Sequence, residues 1–187
     1  MLKNSDYTTL LKGLAERHKA ICRVDGKRVF TKVILASDPV AKQLNLNTFY
    51  GMLKNSGFGK RPFVVATSYD AVHEDKGDGA FLAHRRGGFL VLAQAENTEA
   101  GRDLVLDATE AIGYQLMAGV AEAFRGLAGR RLGRMLHLSS LAVDSIGPLS
   151  DSFFGTRFEF DFTESATMAL TFDAAHFNDS PVSNAPA

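Results

Sequence analysis

Five histidines, His18, His73, His84, His137 and His176, are the first side chains in this chain to test for chemistry. A zinc site carried by one element would space them as H-x-x-x-H or H-E-x-x-H, so that two imidazoles share a helix face. They are scattered without that spacing, so ordinary surface or half-buried histidines are expected, and no metal. The acidic stretch His73-Glu74-Asp75, with Asp78 nearby, misses the oxygen spacing of a calcium loop and reads as a solvated turn. "GFGKRP", residues 57–62, lacks both the G-x-x-x-x-G-K-[ST] frame and a following helix, and reads as a basic loop. In "HRRGGF", Arg85 and Arg86 could grip an anion, while Gly87-Gly88 marks a turn or bulge. Cys22 falls on the apolar stripe of a helix and reads as a core cysteine. No G-x-S-x-G elbow occurs. The best trio the sequence offers an enzyme is His84, Arg85 and Asp75, which would have to converge in a cleft. No catalytic, cofactor-binding or metal-binding residue is assigned, and the chain is read as a non-enzyme with no cofactor.

One basic cluster remains, "RGLAGRRLGR", with Arg125, Arg130, Arg131 and Arg134. The chain has 21 basic and 21 acidic side chains and a formal net charge of zero. That balance argues against broad binding to nucleic acid or anionic lipid. A helix end complemented by cations, or ion pairs between subunits, is the expected role, with nucleic-acid contact only through a channel lining.

The elements that must position these groups follow from periodicity. Residues from about Asn4 to Cys22 recur apolar at three- and four-residue spacing and predict a helix, capped by Ser5 or Asp6. Residues 29–35 alternate as a strand after the Asp25-Gly26 turn. Three glycines and a proline among Phe and Tyr make residues 47–62 an irregular loop with aromatic anchors. Apolar runs on either side of "DKGDG" predict a long hairpin. From about Thr98 to Gly126, Leu104, Ala108, Ile112, Leu116, Val120 and Phe124 recur every fourth residue and predict the main helix, capped by Asn97 or Thr98. Gly113 and Gly119 inside it suggest a close approach to a sheet. "MLHLSSLAVDSIG", "GTRFEFDFT" and "ATMALTFD" read as strands. The last two are expected to pair through a turn at Thr163-Glu164-Ser165, setting Phe162 opposite Ala166, Phe160 opposite Met168 and Phe158 opposite Leu170.

At 187 residues, with 45% hydrophobic and 22% charged side chains, the chain suits one core-forming domain. The expectation is a single α+β domain over 1–177, a mostly antiparallel sheet packed against one long helix, with an N-terminal helix and an extended hairpin or loop. A flexible polar tail is expected at 178–187. A lone cysteine leaves no intramolecular disulfide framework. The charged N-terminus lacks the apolar core of a signal peptide, and no apolar run reaches 18 residues, so neither secretion nor a membrane partner is expected.

The stretch "SIGPLSDSFFGTRFEFDF" resembles the carboxy-terminal pattern of phage tail-terminator, tail-completion and neck proteins. An apolar-Gly-Pro step, a short loop and a glycine with aromatics lead into a strand. The matching positions are Ile146, Gly147, Pro148, Phe154, Gly155, Arg157, Phe158 and Phe160. The resemblance implies a homo-oligomeric ring, typically sixfold. Such a ring ends a tail tube or joins tail to neck, between the tube protein and a head-tail connector or neck protein. It implies a virion or phage-tail-like particle as the destination, with synthesis in the host cytoplasm. Residues 47–62 and the region around Asp75 depart from the pattern, which leaves terminator, neck protein and injection-system cap all open. Phe49, Tyr50, Phe58 and Phe63, with Arg85, Arg86, Arg130 and Arg131, are the candidate oligomer or partner contacts. The other reading is a small-ligand or regulatory binding domain with an apolar pocket beneath the Phe-rich sheet.

Overall fold

Phe158, Phe160 and Phe162 are all fully buried, so the alternation that marks this strand does select one face of a sheet. The structure is a computed structural model describing residues 3–21, 28–34, 47–54, 58, 61–68, 70–96, 98–126, 133–150 and 152–170. The elements run α1 (Asn4–Arg17), β1 (Phe30–Val33), α2 (47–54), β2 (Phe63–Thr67), β3 (Asp70–Asp75) and β4 (Phe81–Gln94). They continue with α3 (Glu99–Arg125), β5 (Met135–Leu149), β6 (Phe153–Ser165) and α4 (Thr167–Leu170). The six strands make one sheet in the order β1-β2-β4-β6-β5, with β3 also beside β4. Among the described residues only β1 and β2 pair in parallel. The architecture is α+β, as expected.

The pairing of β6 corrects the expected hairpin. Phe158 lies opposite Phe89, Phe160 opposite Gly87 and Phe162 opposite Arg85, while β5 takes the other edge of β6. Both edges are therefore filled by distant strands, and no edge remains for residues 166–170. Thr167–Leu170 coil as α4 instead, with Met168 95% exposed. Thr163 to Ser165 are the end of β6 rather than a turn.

α1 and α3 cover one face of the sheet. Tyr7 and Leu11 from α1 meet Ile112, Leu116 and Val120 from α3 over the ring ladder of β4 and β6. Phe89 stacks on Phe158 at 5.1 Å, and Phe124 meets Phe162 edge-on at 5.2 Å. Gly113 is where α3 comes nearest, since a Cβ there would run into the Phe158 ring. Thr98 caps α3, its Oγ1 accepting from the Gly101 N–H at 3.0 Å. The four-residue series holds for Ile112, Leu116, Val120 and Phe124, but Leu104 is 71% exposed. Each four-residue step turns a helix about 40° past a full circle, so five steps bring Leu104 to the side away from the sheet.

The second face carries a smaller core. Residues expected as an irregular loop include the helix α2, and Phe49, Leu53 and Phe58 pack on Phe63, Leu92 and Phe153. Phe58 stacks on Phe63 at 4.1 Å.

β2 and β3 follow one another along the same side of β4. Ala66 pairs with Phe89 and Asp70 with Arg86, so the β2–β3 side holds one residue more than the span Gly87-Gly88 opposite it. The Gly88 carbonyl at that bulge accepts from the Tyr7 hydroxyl and the Thr67 hydroxyl, each at 2.8 Å. Beyond it, β3 and the first half of β4 form the long hairpin expected around "DKGDG". Gly77, Asp78 and Gly79 make its tip with positive φ.

Candidate functional site

The structure separates Asp75 from the other two residues that could have formed an active site. Neighbours along a strand point to opposite faces. His84 therefore lies on the outer face of the hairpin, bonded to Glu74 at 2.8 Å, while Arg85 turns inward. Asp75 sits at the hairpin end, its Oδ1 accepting from the Gly77 N–H at 2.8 Å. The trio does not converge, because Asp75 lies apart; His84, Arg85 and Arg86 do border one hollow of about 240 Å³, together with Asp70, His137 and Asp161. Among the described residues no group of His, Cys, Asp and Glu is arranged to hold a metal ion.

Arg85 is 4% exposed and binds the fully buried Glu164, Nε to Oε1 at 2.8 Å. Arg134 approaches the other oxygen of Glu164 at 3.4 Å. This three-residue ion cluster ties the base of the hairpin to the start of β5. It corrects the placing of Arg85 at a surface contact. Arg86 remains on the surface, 2.9 Å from Glu159. Phe49, Phe58 and Phe63 are buried within the subunit at 4%, 1% and 0% exposure, which corrects their reading as projecting anchors. Tyr50 is half-buried beside Phe49. Arg130, Arg131, Cys22 and His176 lie outside the described residues, as does the expected tail at 178–187.

What the sheet leaves uncovered is the more informative surface. The six residues of β3 are nearly all exposed, and Val72 is 70% exposed. β3 pairs only with β4 among the described residues, and none of them pairs with its outer backbone edge. Glu74 there is held below the usual carboxylate range by hydrogen bonds from Lys76 and then His84.

β5 forms the opposite edge and is blunted by two irregularities. Between His137 and Ala142 it carries surplus residues against β6. Ser140 repairs the gap by donating to the His137 carbonyl and accepting from the Asp161 N–H, both at 2.7 Å. The second falls between Ile146 and Leu149, at the Gly147-Pro148 step singled out in the sequence. Gly147 has φ +135°, and a Cβ there would strike the Phe154 ring at 2.5 Å. The glycine is thus required by backbone conformation and by close packing at once.

Two surface hollows bear on function. An apolar groove of about 290 Å³ runs between α2 and β5, with Tyr50, Leu90, Ile146 and Leu149 inside and Arg157 and Glu159 at its side. A second, of about 250 Å³, lies between the end of α3 and the start of β5. Sequence reasoning missed Val72, Leu104 and the second hollow. The 40° drift of a four-residue series was the signal for Leu104. Val72 sits on a hairpin whose cover no local pattern reports.

Comparison with protein-family models and with curated proteins finds no match to this chain. No helix among the described residues is long and apolar enough to cross a membrane.

Proposed function

We propose that the chain is a non-enzymatic structural subunit of a phage tail or phage-tail-like particle. In this reading it forms a homo-oligomeric ring that ends the tail tube or joins the tail to the neck. The observation that carries the reading is β3, a strand at the margin of the sheet, nearly all of it exposed and with no strand partner but β4 among the described residues. A marginal strand that also exposes Val72 is a liability in a lone subunit and a resource in a ring, where a neighbour can cover it. The Ile146-Gly147-Pro148 corner leading into β6 adds the family resemblance. The partners in this reading are further copies, the tube protein and a connector or neck protein, and the setting is the virion or particle.

The test is the absolute mass of the purified full chain by light scattering, with negative-stain imaging. Rings, or a discrete multiple such as six, support the reading. A monomer at every concentration counts against it and favours a small-ligand or regulatory binding domain. That second reading rests on the apolar groove beside α2, whose size approaches that of small-molecule pockets. A thermal-shift screen with small apolar compounds checks it, with Leu90→Glu expected to abolish any shift.

A further inference from the structure

Two surfaces near opposite ends of α3 pair exposed apolar side chains with charges of opposite sign. Leu104 stands 71% exposed on the side of α3 turned from the sheet. Asp103 and Asp107 flank it, both exposed and neither with an ion-pair partner among the described residues. A helix rises about 1.5 Å per residue, so Phe124 lies about 30 Å further along. There the hollow of about 250 Å³ is floored by Phe124 and Leu136, with Met135 and Leu138 at its lip, 57% and 48% exposed. Arg125 and Arg134 rim it. Arg125 has no ion-pair partner among the described residues, and Arg134 shares one carboxylate, Glu164, with Arg85. Arg125 therefore leaves the rim with a positive charge.

We infer that Leu104, between Asp103 and Asp107 of one copy, docks into the hollow rimmed by Arg125 and Arg134 of the next. An apolar knob meets an apolar floor, and the surrounding charges are opposite in sign. The two patches are different surfaces about 30 Å apart along α3, and in the ring reading the knob of each copy meets the hollow of the next, a head-to-tail contact. A twofold contact through either patch alone would set aspartate against aspartate or arginine against arginine. The inference rests on the homo-oligomeric reading and names the surfaces that carry it.

Charge exchange tests it in the full chain. Asp107→Arg and Arg125→Glu are exposed changes, and unaltered circular dichroism and melting will show that both variants fold. Each alone is expected to weaken self-association roughly tenfold or more, because like charges then face each other. The doubly exchanged protein is expected to recover it. An equimolar mixture of the two single variants is also expected to assemble, since each supplies the surface the other has lost. Leu104→Ala is expected to weaken association with no charge change. If the native chain assembles and these variants match it, the assigned surfaces are wrong while the ring reading stands. Loss in both single variants with no recovery in the double variant or the mixture also overturns the pairing. If the native chain never assembles, the ring reading fails and this inference with it.

Discussion

At the scale of single residues, the best-defined polar group in the core is the Tyr7 hydroxyl. Burial pushes its pKa well above the ordinary tyrosine value, because the interior cannot solvate a phenolate. The neutral phenol is therefore favoured in the fold. Its contribution is complete below the unfolded value near pH ~10 and drains away as pH rises above it. Denaturant melts of the native chain and Tyr7→Phe should diverge in slope there. The native protein is expected to lose up to about 1.4 kcal/mol per pH unit more than the variant. At neutral pH, Tyr7→Phe is expected to cost only about 1 kcal/mol, since the Gly88 carbonyl keeps its bond from Thr67. Gly113 makes a separate prediction. Gly113→Ala improves helix propensity by about 1 kcal/mol but drives a methyl into the Phe158 ring. The overpacking is expected to win, with a net loss of about 1–2 kcal/mol in equilibrium unfolding.

At the scale of elements, local pattern and distant pairing divide what the sequence could show. The long helix was legible from its four-residue series and Thr98, and the hairpin from Gly77, Asp78 and Gly79. The buried face of β6 was legible from period-two alternation. Its partners were not, because any strand with a matching apolar face can occupy an edge, and β4 and β5 each offer a long one. α2 was hidden by glycines and aromatics that suit loops as well as a short helix. The candidate contacts show the same limit. Nothing local tells whether a phenylalanine beside glycines turns inward, as Phe58 does, or outward. Strand alternation, by contrast, already implies that Arg85 and Arg86 face opposite ways. Two substitutions test this account. Phe160→Ala is expected to cost about 3–5 kcal/mol in monomer stability. Phe58→Ala should fall in the same range, by the loss of its stack on Phe63. A Phe58→Ala variant with native melting would place the ring outside the core.

At the scale of the whole molecule, charges balance to zero in sum but not in place. Exposed acids lie along the first half of α3, and arginines gather where α3 gives way to β5. The helix dipole alone favours that order, so polarity by itself is not evidence of assembly. What the dipole does not explain is apolar surface left exposed beside it, at Leu104, Met135 and Leu138, and again on the hairpin at Val72. The hairpin can be tested independently of α3. Val72 contributes little to a lone subunit, so Val72→Asp is expected to change monomer stability by no more than about 0.5 kcal/mol. If β3 is covered by a neighbour, the same change buries a carboxylate in the contact and should lower the assembled mass while leaving the melting of the dissociated subunit intact. A variant that melts early would mean that Val72 is packed within its own subunit. One that folds and assembles as the native chain does would mean that the hairpin stays in solvent after assembly, leaving the α3 surfaces to hold the ring alone.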